Sequence, residues 1–497
     1  MSDHKSHEAT VHEAQALPVM LPAKLVGREN ALAQVYSQLK AGQPVLVYGP
    51  AGVGKTALVA RLAAAYTQQP GGVLWMNVDN PRLEELLVRV GRAYGVEEIV
   101  NTATPLGMVG AVESTLKGSK PFIVLDGSIQ PDVASRFISR CAAGLPLVIT
   151  SEIPLDGAWA SFELEPLTTE HATALFRQEA LLKSDEHNPD VRRMMDLLDC
   201  LPYSVIVAAR AMVAAKQTPG DFLQTLQQTI SAVDGDGAVA ALTTSFRPLT
   251  GALQGLLFMM GATFNGSASV ELLSIISGAA PQTVQQALNL LTQLHLLERT
   301  QRYGEPYYHM HPITHRFVQT SLQRTNRLEA LQTKVREAVL DYAGKYSAES
   351  PQAHDKLATE IETFLATARW AANKGERQVA SQITSLLDQA GDFVRERGYL
   401  YELQQVRAYG TISSSTAFPA YQAEESGRYS PGVDLDEDDF EDDELEASDE
   451  FGASDDLPDE DETRLDDMRA SLPDEDDEFD DDLAYDEDED EDENAEG

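Results

Sequence analysis

Residues Gly49-Pro50-Ala51-Gly52-Val53-Gly54-Lys55-Thr56 spell a complete G-x-x-x-x-G-K-[ST] loop. Such a loop works in one local setting, between the end of a strand and the start of a helix. Its glycines let successive backbone N–H groups turn inward around phosphate oxygens, and the helix N-terminus adds partial positive charge there. The flanks supply both elements: Val45-Leu46-Val47-Tyr48 reads as the strand, and Ala57 to Tyr66 as the helix. Lys55 is then placed to reach the β- and γ-phosphates of a nucleotide, and the Thr56 hydroxyl to ligate Mg2+.

The surrounding sequence repeats this alternation. Apolar runs at Val73-Leu74-Trp75-Met76, Phe122-Ile123-Val124-Leu125 and Leu147-Val148-Ile149 are bounded by turn residues and separated by segments of helical period. Continuous apolar runs with helical crossovers predict a parallel sheet buried on both faces. From Thr168 helical periodicity takes over, at Glu170–Leu182, Asp190–Leu198, Val205–Lys216 and Asp221–Ile230. After Asp234-Gly235-Asp236-Gly237 come helices at Thr250–Met260, Val270–Ile276 and Pro281–Leu291, a Leu296-Leu297 strand, a turn at Arg302–Glu305 and a Tyr307–Met310 strand. Three helices and a short hairpin make a winged-helix layout. Arg327 to about Gln405 is helical again, with breaks near Ser350-Pro351 and Gly375 and no fixed repeat period. The expected fold is an α/β P-loop NTPase domain with a parallel sheet, followed by all-α, winged-helix and helical-repeat-like domains and a disordered acidic tail. The expected boundaries are a flexible leader at 1–20, the P-loop domain at 21–165, a helical domain at 166–236, the winged helix at 237–322, a TPR-like helical segment at 323–408 and the tail at 409–497.

Charge is spread very unevenly. The 497 residues carry 38 Lys and Arg against 80 Asp and Glu, a net charge of −42. Residues 431–497 alone hold 37 acidic residues and two basic ones, Arg464 and Arg469, leaving 36 basic against 43 acidic in residues 1–430. The body is thus of ordinary charge, and the tail is a self-repelling segment poor in apolar side chains. No net positive field exists to release counterions from nucleic acid, so a polyanion-binding surface is disfavoured. Leu-Pro-Asp-Glu-Asp occurs at Leu457–Asp461 and again at Leu472–Asp476; Leu465, Met468 and Leu472 fall at a spacing that suits a short helix in a partner's groove. Cys141 and Cys200 lack metal-ligand spacing and read as buried free thiols of a reducing compartment. Residues 1–17 lack the apolar core of a signal peptide, and the apolar window Leu256–Met260 is too short to span a bilayer, so a cytoplasmic location is expected.

A phosphate loop needs an acidic partner on a neighbouring strand to hold the magnesium shell. Asp126 closes the Phe122–Leu125 run and fits that need; the alternative is an aspartate that caps the next turn. Gly127 and Ser128 follow it, so no general base for an attacking water is evident there.

Further segments join these in a fixed order: Leu25-Val26-Gly27-Arg28-Glu29, Leu147-Val148-Ile149-Thr150-Ser151, Leu164-Glu165-Pro166-Leu167-Thr168 with Ala174-Leu175-Phe176, Leu201-Pro202-Tyr203, and Met310-His311-Pro312. The ordered set, over about residues 24–322, resembles the NB-ARC type of STAND signal-transduction ATPase. The resemblance implies that Val26, Gly27 and Arg28 pack against adenine and ribose. It implies that Gly49 to Thr56 and Ala57 cradle the phosphates of ATP or ADP, with Mg2+ at Thr56 and Asp126 and with Lys55 and Asp126 as the catalytic pair. It further implies that Pro202, on a helical lid, touches adenine and that His311 meets the β-phosphate of ADP in a closed state. As plain structure, Pro202 is a helix start and His311 a satisfied hairpin histidine.

Three departures argue against vigorous hydrolysis. The fourth strand ends in Thr150-Ser151-Glu152, where the family carries an arginine that senses the γ-phosphate. Asp126 lacks an acidic successor, and Met310-His311-Pro312 lacks the family's aspartate. The expected function is an ATP/ADP-binding regulatory switch, at most a slow ATPase, acting through protein partners, self-association or the tail. The alternatives are an interaction scaffold with a vestigial nucleotide site, and a winged-helix transcriptional regulator. The second is opposed by the absence of Lys and Arg from Pro281–Leu291.

Overall fold

The computed structural model describes residues 25–69, 71–100, 105–182, 188–233, 235–347 and 350–411. The expected leader, and the acidic tail beyond residue 411, lie outside the described residues.

The chain runs through α1 (Glu29–Lys40), β1 (Val45–Tyr48), α2 (Lys55–Ala64), β2 (Val73–Asp79), α3 (Leu83–Ala93), α4 (Glu97–Val100), α5 (Pro105–Ser119), β3 (Phe122–Ser128), α6 (Pro131–Arg140), β4 (Leu147–Ser151) and β5 (Ala160–Glu163). The strands form one parallel sheet in the order β2-β3-β4-β1-β5. Period-two alternation sorts its side chains. Leu46, Leu74, Ile123, Leu125, Leu147 and Ile149 pack under α3, α5 and α6. Val45, Val47, Val73, Phe122, Val124 and Val148 pack on the other face, under α1 and α2. Both faces are therefore dry, which is why the central strands read as unbroken apolar runs. The edge strand β5 escapes the sequence reading because Ser161 and Glu163 are exposed and only Ala160 and Phe162 turn inward. Since β1 lies between β4 and β5, the loop leaving its carboxyl end opens at a change of strand order, where such sheets place their ligands.

A helical layer follows, made of α7 (Thr169–Glu179), α8 (Pro189–Leu197), α9 (Pro202–Ala214), α10 (Pro219–Ala232) and α11 (Gly237–Phe246). Its starts are written in the sequence: the Thr168, Asn188, Thr218 and Asp236 side chains accept backbone N–H groups of the first turns of α7, α8, α10 and α11. α11 is buried along its whole length and packs on α9 and α10. A helix covered on every side shows no amphipathic stripe, so periodicity could not reveal it.

Next come α12 (Gly251–Ala262), β6 (Ser267–Ser269), α13 (Val270–Ser277), α14 (Pro281–Gln293), β7 (Glu298–Arg302), β8 (Glu305–His309) and α15 (Pro312–Arg324). The three strands make a small antiparallel sheet in the order β6-β8-β7. Tyr303 and Gly304, both at positive φ (49° and 79°), close the β7–β8 hairpin as a two-residue turn. β7 begins just after the buried Leu296-Leu297 pair rather than on it. The last described helices are α16 (Leu328–Tyr346), α17 (Pro351–Thr359), α18 (Ile361–Asn373), α19 (Arg377–Gln389), α20 (Phe393–Glu396) and α21 (Leu400–Thr411). α21 packs on α18 and α19 and turns back to the first layer, where Arg82 Nη2 donates to Gln405 Oε1 at 2.9 Å. Among the described residues no helix is long and apolar enough to cross a membrane, and Cys141 and Cys200 are free thiols.

Candidate nucleotide-binding site

The Gly49 amide donates to the Ser151 carbonyl at 3.2 Å, which ties the first residue of the loop to the end of β4. The loop then turns on Gly49, Gly52 and Gly54, with φ of 154°, 76° and 96°, and Gly54 leads into α2. Val53 is fully buried and anchors the loop, while Pro50 is exposed and Ala51 and Ala57 are partly so. Gly52 has no room for a side chain: a Cβ there would stand 2.9 Å from Tyr203 Cβ and 3.0 Å from Ile313 Cδ1.

Lys55 opens α2, and its Nζ folds across the loop to donate to the carbonyls of Gly49 at 2.8 Å and Pro50 at 3.0 Å. Burial lowers its pKa, while the charges of Glu152 and Asp126 raise it. Asp126 lies not on a strand adjacent to β1, as expected, but on β3, one strand further across, with β4 between; its Oδ1 accepts from Thr150 Oγ1 on β4 at 2.6 Å and from Thr56 Oγ1 at 3.2 Å. Burial pushes this carboxyl up; the two hydroxyls and Lys55 oppose the shift. Thr56 and Asp126 therefore form an oxygen-only pair of the kind that suits Mg2+, and these two residues would hold the ion. At the next position Gly127 pairs with Val78 across β2 and β3, and a Cβ would lie 2.2 Å from the Val78 carbonyl oxygen. In this backbone conformation, at φ 125°, no side chain fits directly after Asp126.

Arg28 lies largely buried behind the loop. Its Nη2 donates to the Val53 carbonyl and its Nη1 to the Glu165 carbonyl, both at 2.8 Å. The guanidinium thus clamps the loop to the segment that leads into the helical layer. Gly27, at φ 66°, backs onto His171, and Val26 packs against the helical core.

Two further elements close over the loop. Pro202, the first residue of α9, stands over Gly54, and the next residue, Tyr203, donates its amide to the Gly52 carbonyl at 3.1 Å. The Tyr203 ring stacks on His311, centroids 4.0 Å apart and 17° from parallel, and its hydroxyl shares a hydrogen bond with Thr314. His311 caps α15, its Nδ1 accepting from the Ile313 amide at 3.2 Å. Burial holds the His311 imidazole down to about 4; Glu298 pulls it up, and His295 and Lys55 push it further down. Glu298 would be raised by burial, but His309, 3.0 Å away, with His311 and His295, holds it at about 2.

Lys55, Thr56, Asp126, Arg28, Pro202 and His311, chosen from sequence, thus converge around one loop. Thr150 and Tyr203 lie inside segments the sequence singled out, but nothing in their type or spacing marks Thr150 as the donor to Asp126 or Tyr203 as the hub between α9 and α15. Glu152 meets a partner that no spacing suggests: Arg316 Nη2 on α15 lies 3.9 Å from Glu152 Oε1.

The AAA ATPase domain family matches residues 24–472 of the chain. A comparison with curated proteins gives no match. Among solved structures the chain is similar to a Signal Transduction ATPase with Numerous Domains (STAND) protein with a tetratricopeptide repeat sensor from Pyrococcus horikoshii, at 15% identity and a TM-score of 0.45, over 80% of this chain and 70% of that one. It is also similar to Cdc6p from Pyrobaculum aerophilum, at 14% identity and a TM-score of 0.33, over 67% of this chain and 98% of that one.

Proposed function

Since the chain belongs to the AAA ATPase domain family, we propose that it is a regulatory switch of the NB-ARC/STAND type, holding ATP or ADP with Mg2+ between the P-loop layer, a helical lid and a winged helix. The observation that best supports this reading is the meeting of Gly52, Tyr203 and His311, which brings the loop, α9 and α15 to one point. A nucleotide seated in the loop would touch α9 and α15 only while they are closed over it. Its binding energy therefore differs between a closed and an open arrangement, which is what a ligand-driven switch requires. In this reading α7 to α11 form the lid, α12 to α15 with the small sheet form the winged helix, and α16 to α21 form a TPR-like segment.

Lys55 would turn from the Gly49 and Pro50 carbonyls to the terminal phosphates, and Thr56 with Asp126 would hold Mg2+, which lowers the charge barrier at those phosphates. Hydrolysis is slow or absent, because Gly127 leaves no carboxylate to orient water. Output then runs through a protein partner or nucleotide-dependent self-association, with the acidic tail as one docking arm.

The test is to purify the protein, denature it and identify the released nucleotide by chromatography. Co-purifying ADP supports a locked switch. Lys55→Ala should weaken binding of both nucleotides by about 10- to 100-fold, the range for a lost charge-assisted bond. A protein with no bound nucleotide and no measurable affinity for ATP or ADP would overturn the reading.

A further inference from the structure

Glu152 lies directly after Ser151, whose carbonyl accepts the Gly49 amide, so its backbone stands at the mouth of the phosphate loop. Its carboxylate lies 3.9 Å from Arg316 on α15, the helix whose first residues, capped by His311, pack on Gly52 and Tyr203. Glu152 is thus bracketed between the loop and the element that closes over it. Lys55 Nζ donates to the carbonyl of the same Gly49 at 2.8 Å, so the chain segment that carries Glu152 and the ammonium meet at one residue of the loop. Both Glu152 and Arg316 side chains are 55% exposed, so their pairing adds little to folding stability, and no core cavity opens when either is changed.

We propose that Glu152 makes this site selective for a nucleoside diphosphate over a triphosphate, holding a fixed negative charge beside Lys55 where the third phosphate would lie, with Arg316 as its counter-ion from α15. The proposal rests on the nucleotide-binding reading and adds what that reading leaves open, the preferred phosphate count. A lysine ammonium on a phosphate loop serves the terminal phosphates. When the ligand ends at the β-phosphate, the Glu152 carboxylate balances the remaining positive charge. When a γ-phosphate is present, two anions compete for the same ammonium and repel each other. A triphosphate therefore meets the Glu152 charge, which the exposed Arg316 offsets only in part, whereas a diphosphate does not.

The experiment measures affinities of the full-length protein for fluorescent ADP and ATP analogues in Mg2+, comparing wild type, Glu152→Gln and Arg316→Gln. Wild type should favour the diphosphate. Glu152→Gln should raise triphosphate affinity about tenfold while changing diphosphate affinity far less, the size expected for one partly screened charge near a phosphate. Arg316→Gln, which leaves Glu152 without this counter-ion, should move the ratio further toward the diphosphate. If Glu152→Gln binds both nucleotides with the wild-type ratio, the proposal fails while the nucleotide-binding reading stands. If wild type binds neither nucleotide, both fail together. Circular dichroism and thermal melting establish that the variants compared are folded.

Discussion

The amide of Tyr203 donates to the carbonyl of Gly52 at 3.1 Å, so the helical layer is hydrogen-bonded to the middle of the phosphate loop. The same contact leaves no space on the loop side, where Gly52 sits at φ 76°. Gly52→Ala would force an L-residue into the left-handed region and drive a methyl group against Tyr203 Cβ and Ile313 Cδ1. It should destabilise the protein by about 1–3 kcal/mol. Because the neighbours displaced belong to α9 and α15, nucleotide affinity should fall as well. Urea denaturation and nucleotide titration check both; an unchanged midpoint would mean that α9 does not rest on the loop as described.

Arg28 bridges two backbone carbonyls, those of Val53 and Glu165, and is itself 8% exposed. Burial lowers its pKa, so these bonds are what keep the desolvated cation in place. Arg28→Met leaves both carbonyls without that donor and should destabilise folding by about 2–4 kcal/mol. Arg28→Lys keeps the charge but not the planar fork and should recover only part of the loss. Equal stability of the lysine variant and wild type would show that the fork geometry is immaterial.

The sheet was legible because its central strands are dry on both faces and its first turn is chemically specific. The phosphate loop fixes β1 and α2, and the apolar runs fix β2, β3 and β4. What the sequence hid follows from the same physics. β5 is a four-residue edge strand in which only Ala160 and Phe162 turn inward, too short a run to stand out, and α11 is buried all round, so no one-sided stripe marks it. At the site, Lys55, Thr56 and Asp126 are named by motif. Tyr203 and Arg316 lie in segments far from the loop along the chain, and only tertiary packing brings them to it. Arg28 was legible as a site residue, yet its bonds to Val53 and Glu165 depend on a path of the backbone that no local pattern encodes.

His311 gives the fold a defined acid sensitivity. Its imidazole ordinarily titrates near 6.5 and is held at about 4 by burial in the folded chain. Below about 6.5 the unfolded state takes up a proton that the folded state refuses until about pH 4. The neutral imidazole's contribution is therefore intact above pH 6.5 and declines as the pH falls toward 4, by up to about 3 kcal/mol. His295, lowered by burial too, adds to the same slope. His311→Asn keeps a capping side chain for α15 and removes the titration. Melting temperatures between pH 6.5 and 4.5 should fall less steeply in the variant than in wild type. Restricting the range avoids Glu298, whose depressed pKa of about 2 adds its own loss of stability between pH 4.5 and 2. Parallel slopes would remove His311 as the source.

Arg92 on α3 and Glu402 on α21 pair across a long stretch of chain, with side chains only 17% and 12% exposed. The guanidinium also lies over the Tyr399 ring, 4.1 Å from its centroid, and its Nη2 reaches the Gly398 carbonyl at 3.4 Å. Burial alone would lower the arginine's pKa, but Glu402 and Tyr399 outweigh it and raise it. Arg92 Nε and Glu402 Oε2 nevertheless find no hydrogen-bond partner among the described residues, so the pair is not fully compensated. Two consequences separate. Removing one partner strands a desolvated charge: Arg92→Met should destabilise folding by about 3–5 kcal/mol. Removing both, in Arg92→Met with Glu402→Leu, replaces an incompletely satisfied ion pair with apolar packing and should recover most of that loss. A double-mutant cycle by chemical denaturation measures the difference. Strict additivity of the two single changes would mean that this ion pair adds nothing to the hold of α21 on α3. A large coupling would show that this pair, beside the Arg82–Gln405 bond, holds the last described helix to the layer that carries the phosphate loop.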